Sequence, residues 1–186
     1  MRSNLKCSIK NSRGFSIYDT LIALSISSML GVGAVGMHSV VKENTMAVGV
    51  NTMIGHLNLA RSEAIRRGVE VVMCPTRDGV SCDDPVADQT WWTHGYLLYA
   101  DVNNNGRRDA DEPVIRVEHS YRSILAVKTS KYRNKVTYQP TGLAGGSTIT
   151  FAFCDNRGPA HARYVTVQNA GRARVSRTTT SETRCA

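Results

Sequence analysis

"FSIYDTLIALSISSMLGVGAVGMHSVV", residues 15–41, is a run of 27 residues in which Asp19 and His38 are the only ionisable groups. As a helix it exceeds the roughly 20 apolar residues needed to cross a bilayer. The preceding "MRSNLKCSIKNSRG" (1–14) carries Arg2, Lys6, Lys10 and Arg13 and no acid, and a basic flank retains that end in the cytoplasm. An ordinary secretory signal has a shorter apolar region with its small-residue cleavage site behind it; here Gly14 comes in front. The pattern predicts a single-pass anchor over 15–41 with the rest of the chain on the far side. Asp19 is the oddity. A carboxylate at mid-bilayer costs about 2.5–3.5 kcal/mol, less near a helix N-terminus, where the macrodipole favours it. It suits either the headgroup zone or a cation supplied by a neighbouring subunit.

The helical pattern continues outward. Met46, Val50, Met53, Ile54, Leu57, Ala60, Ala64 and Ile65 recur at three- and four-residue spacing, predicting an amphipathic continuation over 42–67. Arg66, Arg67 and Gly68 form a C-terminal stop. Gly31, Gly33 and Gly36 weaken the middle by about 1 kcal/mol each relative to Ala. From residue 68 the period changes to short alternating runs: "VEVVMC" (69–74), "HGYLLYAD" (94–101), "PVIRVEH" (113–119), "SILAVKT" (123–129), "KVTYQ" (135–139), "STITFAFC" (147–154), "RYVTVQN" (163–169) and "RARVSR" (172–177). Gly, Asn, Asp and Pro separate them, so they read as antiparallel strands. The expected fold is α+β, a long N-terminal helix packed on a small antiparallel β domain over 68–186. A chain of 186 residues that is 41% hydrophobic and 20% charged excludes global disorder.

Beyond Cys7, the cysteines are Cys74, Cys82, Cys154 and Cys185. A domain exported past the membrane folds where disulfides persist. Of three possible pairings, Cys74–Cys82 closing a short polar loop and Cys154–Cys185 tying down the tail are favoured. No C-x-x-C spacing supports zinc.

The junction "RG|FSIYD" resembles the class III leader of type IV pilins and pseudopilins. That resemblance implies a basic leader cut after Gly14 by a prepilin peptidase, methylation of the new N-terminal Phe15, and Asp19 as the acid at mature position five. This acid pairs with a neighbouring subunit's amino terminus during assembly. Asp replaces the usual Glu. The resemblance implies residence in the inner membrane with a periplasmic C-terminal domain, then a place among other pilin subunits in a cell-surface pilus.

Residues 101–112, "DVNNNGRRDADE", match the calcium-loop pattern D-x-N-x-N-G-x5-E. Asp101, Asn103, Asn105, Asp109 and Glu112 would be oxygen ligands, with the Arg107 carbonyl, and Gly106 would make the sharp turn. Strand-like runs flank the loop instead of helices, so the same residues also suit a polar hairpin turn. Calcium is the only cofactor the sequence suggests.

The net charge of +8 is unevenly spread. Residues 15–112 carry seven basic and twelve acidic side chains, and residues 113–186 carry twelve basic and three acidic. A one-signed half-domain is the footprint of a surface for polyanions or for an acidic subunit. "RYVTVQNAGRARVSR" (163–177) reads as a hairpin with an Asn-Ala-Gly turn, in which Arg172 and Arg174 point the same way. The Gly-Arg-x-Arg stretch resembles the C-terminal motif of FimT-type minor pilins, relatives of the H-type pseudopilins of type II secretion. That resemblance implies DNA binding during natural transformation by Gly171, Arg172, Arg174 and Arg177, with the nearby basic residues Lys131, Arg133, Lys135 and Arg163. Tyr164 or Tyr132 would be available for stacking, whereas Trp91 and Trp92 read as packing. Arginines on an edge strand also discourage aggregation, the simpler reading. His38, His56, His94, His119 and His161 show no ligand or triad spacing, so no enzyme is expected. The chain reads as a DNA-binding minor pilin, or alternatively as a structural pilin or pseudopilin that primes a pilus or secretion filament.

Overall fold

The structure is a computed structural model that describes residues 14, 16–84, 89–119, 125–130, 132–146, 148–179 and 185, with the backbone alone for 28–38 and 89. Residues 1–13 of the expected 1–14 leader, Phe15 and Lys131 lie outside the described residues. Contacts divide the chain into two units, Met1–Val41 and Lys42–Ala186. Helix α1 (Ile17–Arg67) begins in the first and ends in the second.

In the first unit, Ile17, Leu21, Ile22, Leu24 and Ile26 are all exposed. At 3.6 residues per turn they cover one broad side of the helix, so a wide apolar face is left uncovered. The polar groups between them are turned inward on the helix itself. Thr20 donates to the Ile17 carbonyl, Ser25 to Ile22 and Ser27 to Ala23, each at 2.8 Å, which hides hydroxyls from a nonpolar medium. Ser16 starts the helix as a reciprocal cap: its backbone N–H donates to Asp19 Oδ2 at 3.2 Å, and its hydroxyl accepts from the Tyr18 N–H at 3.4 Å. Among the described residues no helix is long and apolar enough to cross a membrane. Phe15 and the side chains of 28–38, which belong to the span expected over 15–41, lie outside the described residues.

In the second unit, Met46, Val50, Met53, Leu57, Ala60 and Ala64 form a fully buried stripe along α1. Large residues lead along this stripe and alanines follow. Gly68, at φ +69°, ends it by donating to the Ala64 carbonyl at 3.0 Å.

The rest is two antiparallel five-stranded sheets. The first contains β1 (Glu70–Pro75), β3 (Gly95–Asp101), β4 (Val114–His119), β6 (Val136–Tyr138) and β7 (Ala144–Gly145), in the order β4-β3-β1-β6-β7. The second contains β2 (Gln89–Trp91), β5 (Ala126–Ser130), β8 (Ile149–Cys154), β9 (Arg163–Val167) and β10 (Ala173–Ser176), in the order β10-β9-β8-β5-β2. Val71, Met73, Tyr96 and Leu98 of the first sheet and Val127, Phe151, Phe153, Val165 and Val167 of the second share one core with the α1 stripe. Trp92 lies in its middle, 4.8 Å from the Phe151 ring centroid, with its N–H on Thr129 Oγ1 at 3.1 Å.

Both favoured disulfides are present, Cys74–Cys82 and Cys154–Cys185, each with Cα atoms 5.6 Å apart. The second brings Cys185 onto Ala152, Ala162 and Tyr164 on the outer face of the second sheet. The eight expected strands are all found; β2 and β7, of three and two residues, are additional.

Because the stripe is fully buried, Leu57→Ala should destabilise the protein by about 2–5 kcal/mol. Urea denaturation followed by tryptophan fluorescence will measure this, and a loss below about 1 kcal/mol would mean that the helix packs loosely.

Candidate nucleic-acid interface

Strand β10 is an edge strand, bonded only to β9 with Arg174 opposite Thr166. The turn before it is built by Gly171. Its N–H donates to the Gln168 carbonyl at 2.7 Å, and the Gln168 N–H donates to the Arg172 carbonyl at 3.1 Å. This is a three-residue hairpin loop closed by a left-handed residue, at φ +75°. Glycine is required here for a second reason, since a Cβ would collide with the Gly142 carbonyl oxygen. Alternation then places Ala173 on the core face and Arg174 on the other. Arg172, Arg174 and Arg177 are exposed, and none makes an ion pair among the described residues.

The other described basic residues predicted for this site are engaged by the protein's own acceptors. Arg133 donates to the Gly146 carbonyl at 3.5 Å and Lys135 to the Gly106 carbonyl at 2.7 Å. Arg163 is engaged elsewhere. Its guanidinium bonds Glu43 of α1, and Arg157 bonds the same carboxylate at 3.0 Å while its Nη2 lies 2.6 Å from Asp155 Oδ2. These arginines clamp helix to sheet. The Arg157 hydrogen bond, with Arg163 beside it, holds the Glu43 carboxyl below its usual range despite an opposing push from burial. Burial also pushes Asp155 up, but hydrogen bonds from Arg157 outweigh it and leave the carboxyl low. Tyr164 is buried beneath Cys185 and offers no ring for stacking, while Tyr132 is 77% exposed. One basic residue of this region was not legible in the sequence: Arg61 of α1 lies beside the Gly171 turn, far away in the chain and in its net-acidic half.

The 101–112 loop is closed by its own donors. Asp101 accepts the N–H groups of Asn105 at 3.1 Å and Gly106 at 2.7 Å. Glu112, which a calcium loop uses in bidentate fashion, accepts Val102 N–H at 2.9 Å and Asp109 N–H at 3.1 Å. Asn103 and Asn105 turn their amide nitrogens to Asp109 at 2.8 and 2.7 Å. Among the described residues no three His, Cys, Asp or Glu side chains are grouped to hold a metal ion. As arranged, the residues form a polar turn between β3 and β4. Millimolar calcium should give no binding heat in calorimetry and no shift in melting temperature, whereas a saturable heat would restore the metal reading.

A family model described as type II transport protein GspH matches residues 49–171. The crystal structure of the type IV minor pilin FimU from Pseudomonas aeruginosa strain PAO1 in space group P21 is 18% identical, with a TM-score of 0.55 over 77% of this chain and 93% of that one. Its P65 form is also 18% identical, with a TM-score of 0.51 over 73% and 93%. The minor pseudopilin EpsH of the Vibrio cholerae type 2 secretion system is 12% identical, with a TM-score of 0.48 over 70% and 95%. No curated protein matches the sequence. The FimU likeness is one of fold.

The Glu43–Arg157–Arg163–Asp155 cluster generates a pH prediction. Both carboxyls titrate lower in the folded than in the unfolded chain, so their contribution is full above the unfolded value, about 4. It is lost as pH falls through the lower folded values. The melting temperature should therefore drop more steeply below about pH 4 in the native protein than in Glu43→Gln, and parallel curves would show that the clamp contributes nothing.

Proposed function

The chain belongs to the GspH family of type II transport proteins, and from this premise we propose that it is a minor pilin that binds extracellular DNA without sequence preference. In this reading a prepilin peptidase cuts after Gly14, Phe15 is methylated, and the first part of α1 anchors the subunit in the inner membrane before it joins other pilins in a surface filament. The uncovered apolar surface round residues 17–26 of α1 suits both a bilayer and the interior of a helical filament. Asp19 already faces the backbone at the start of α1, where a neighbour's amino terminus would find it. The protein is a building block and a substrate of processing enzymes, not an enzyme itself.

The observation that carries the DNA reading is the edge strand β10, with Arg172, Arg174 and Arg177 exposed and no acid paired to them among the described residues. Arginine's planar fork suits phosphate oxygens. Contacts to phosphates alone make binding independent of sequence and sensitive to salt, with a slope of about −0.9 per phosphate neutralised.

The test is fluorescence anisotropy of the full chain in mild detergent with a short labelled duplex over a salt series. Arg172→Ala combined with Arg174→Ala should flatten the slope by about 1.8, the loss of two phosphates. Unchanged binding in that double variant removes the motif from the interface. No binding by the native chain even in dilute buffer leaves a filament-building role in a pilus or secretion system.

A further inference from the structure

The five strands of the second sheet carry Lys128, Arg163 and Arg174 and no acidic side chain. The first sheet, by contrast, includes Glu70, Asp101 and Glu118. Alternation divides the second sheet's residues between two faces. Trp92, Val127, Val165 and Val167 turn to the core, so Trp91, Lys128, Thr166 and Arg174 lie on the face away from α1. Register joins the two edges of that face: Trp91 opposes Lys128, which opposes Ala152, then Tyr164, then Ser176. Thr150, Thr166 and Arg174 form the adjoining row.

The face is unevenly covered. Cys185 packs on Ala152 and Tyr164. Thr150 and Thr166, with hydroxyls 3.2 Å apart, stay half-buried beside them, and Arg174 is exposed. At the opposite edge the Lys128 ammonium lies 5.9 Å from the Trp91 ring centroid. Lys128 is 8% exposed and makes no ion pair among the described residues, while Trp91 keeps 39% of its surface open. An indole beside an unpaired cation, on a sheet whose strands hold no acid, suits a ligand that combines negative charge with flat rings. Nucleic acid is such a ligand where its bases are unpaired, because in a duplex the ring faces are stacked on one another.

We propose that the outer face of the second sheet is a track for single-stranded DNA, with an unpaired base stacked on Trp91 and backbone phosphates met at the other edge by Arg174. The inference rests on the DNA reading above and narrows its ligand to an unpaired strand. Strands β2 and β10 lie four strand spacings apart, about 19 Å, which about six nucleotides cover at the rise of a stacked strand. Phosphate contacts confined to β10 would need no aromatic ring, whereas the track does. Trp91 belongs to the net-acidic part of the sequence, and the strand order carries it onto the basic sheet.

Anisotropy of the full chain in mild detergent, with a labelled mixed-sequence single strand and the duplex made from it, tests the track over a salt series. Trp91→Ala should lower the ratio of single-strand to duplex affinity about tenfold and leave the salt slope as it is, and Trp91→Phe should recover most of the loss. Arg174→Gln should instead flatten the single-strand slope by about 0.7, one phosphate. A second measurement needs no variant: Trp92 is buried, so a bound single strand should quench the long-wavelength tryptophan emission and duplex should not. A ratio that Trp91→Ala leaves unchanged, a slope that Arg174→Gln leaves unchanged, or a bound single strand that does not quench overturns the track. Duplex binding that still depends on Arg172 and Arg174 then stands as the DNA reading. Native protein that binds neither form overturns both.

Discussion

The burial of one stripe on α1 is the constraint from which the β domain follows. Met46, Val50, Met53, Leu57, Ala60 and Ala64 have no exposed surface worth counting, and neither sheet could cover its own inner face without them. A lone twisted sheet with a bare apolar face is unstable in water. Here two sheets share a single helix as the common filling of one core. The ion cluster on Glu43 fixes the helix near the start of that stripe, and the Gly68 cap ends it where β1 begins.

This arrangement sorts the positive charge. The sequence shows a basic half, but the fold divides it by task. Arg157 and Arg163 are half-buried clamps, Arg116 lies 3.6 Å from Glu118 on its own strand, and Lys128 lies against the Trp91 ring at 5.9 Å. What remains at the far edge of the second sheet is a small set of arginines on and around β10. Net charge raised the expectation of a polyanion partner, yet position in the sheet determines which residues are available to one.

Local patterns were legible and distant ones were not. The α1 stripe, the Gly68 stop, the Gly171 turn and both disulfides could be read because each depends on residues near one another in the chain or on a very small set of pairings. Strands β2 and β7 are too short to show a period. The bonds from Glu43 to Arg157 and Arg163 span 114 and 120 residues, and no spacing rule reaches so far. The same distance conceals Arg61, whose place beside the Gly171 turn depends on residues about a hundred positions away. In the D-x-N-x-N-G loop the residue types suit a cation or a turn; in the fold Asp101 and Glu112 accept backbone N–H groups and Asp109 accepts the Asn103 and Asn105 amides.

Trp92 gives the molecule a built-in optical reporter. Its indole sits edge-on to Phe151 and hydrogen-bonds Thr129 in the core that α1 helps to close, while Trp91, its chain neighbour, is 39% exposed beside an ammonium group. The chain has only these two indoles. Emission at short wavelength therefore tracks helix docking, and the solvent-quenchable fraction tracks the surface, so the two layers can be followed separately without a label.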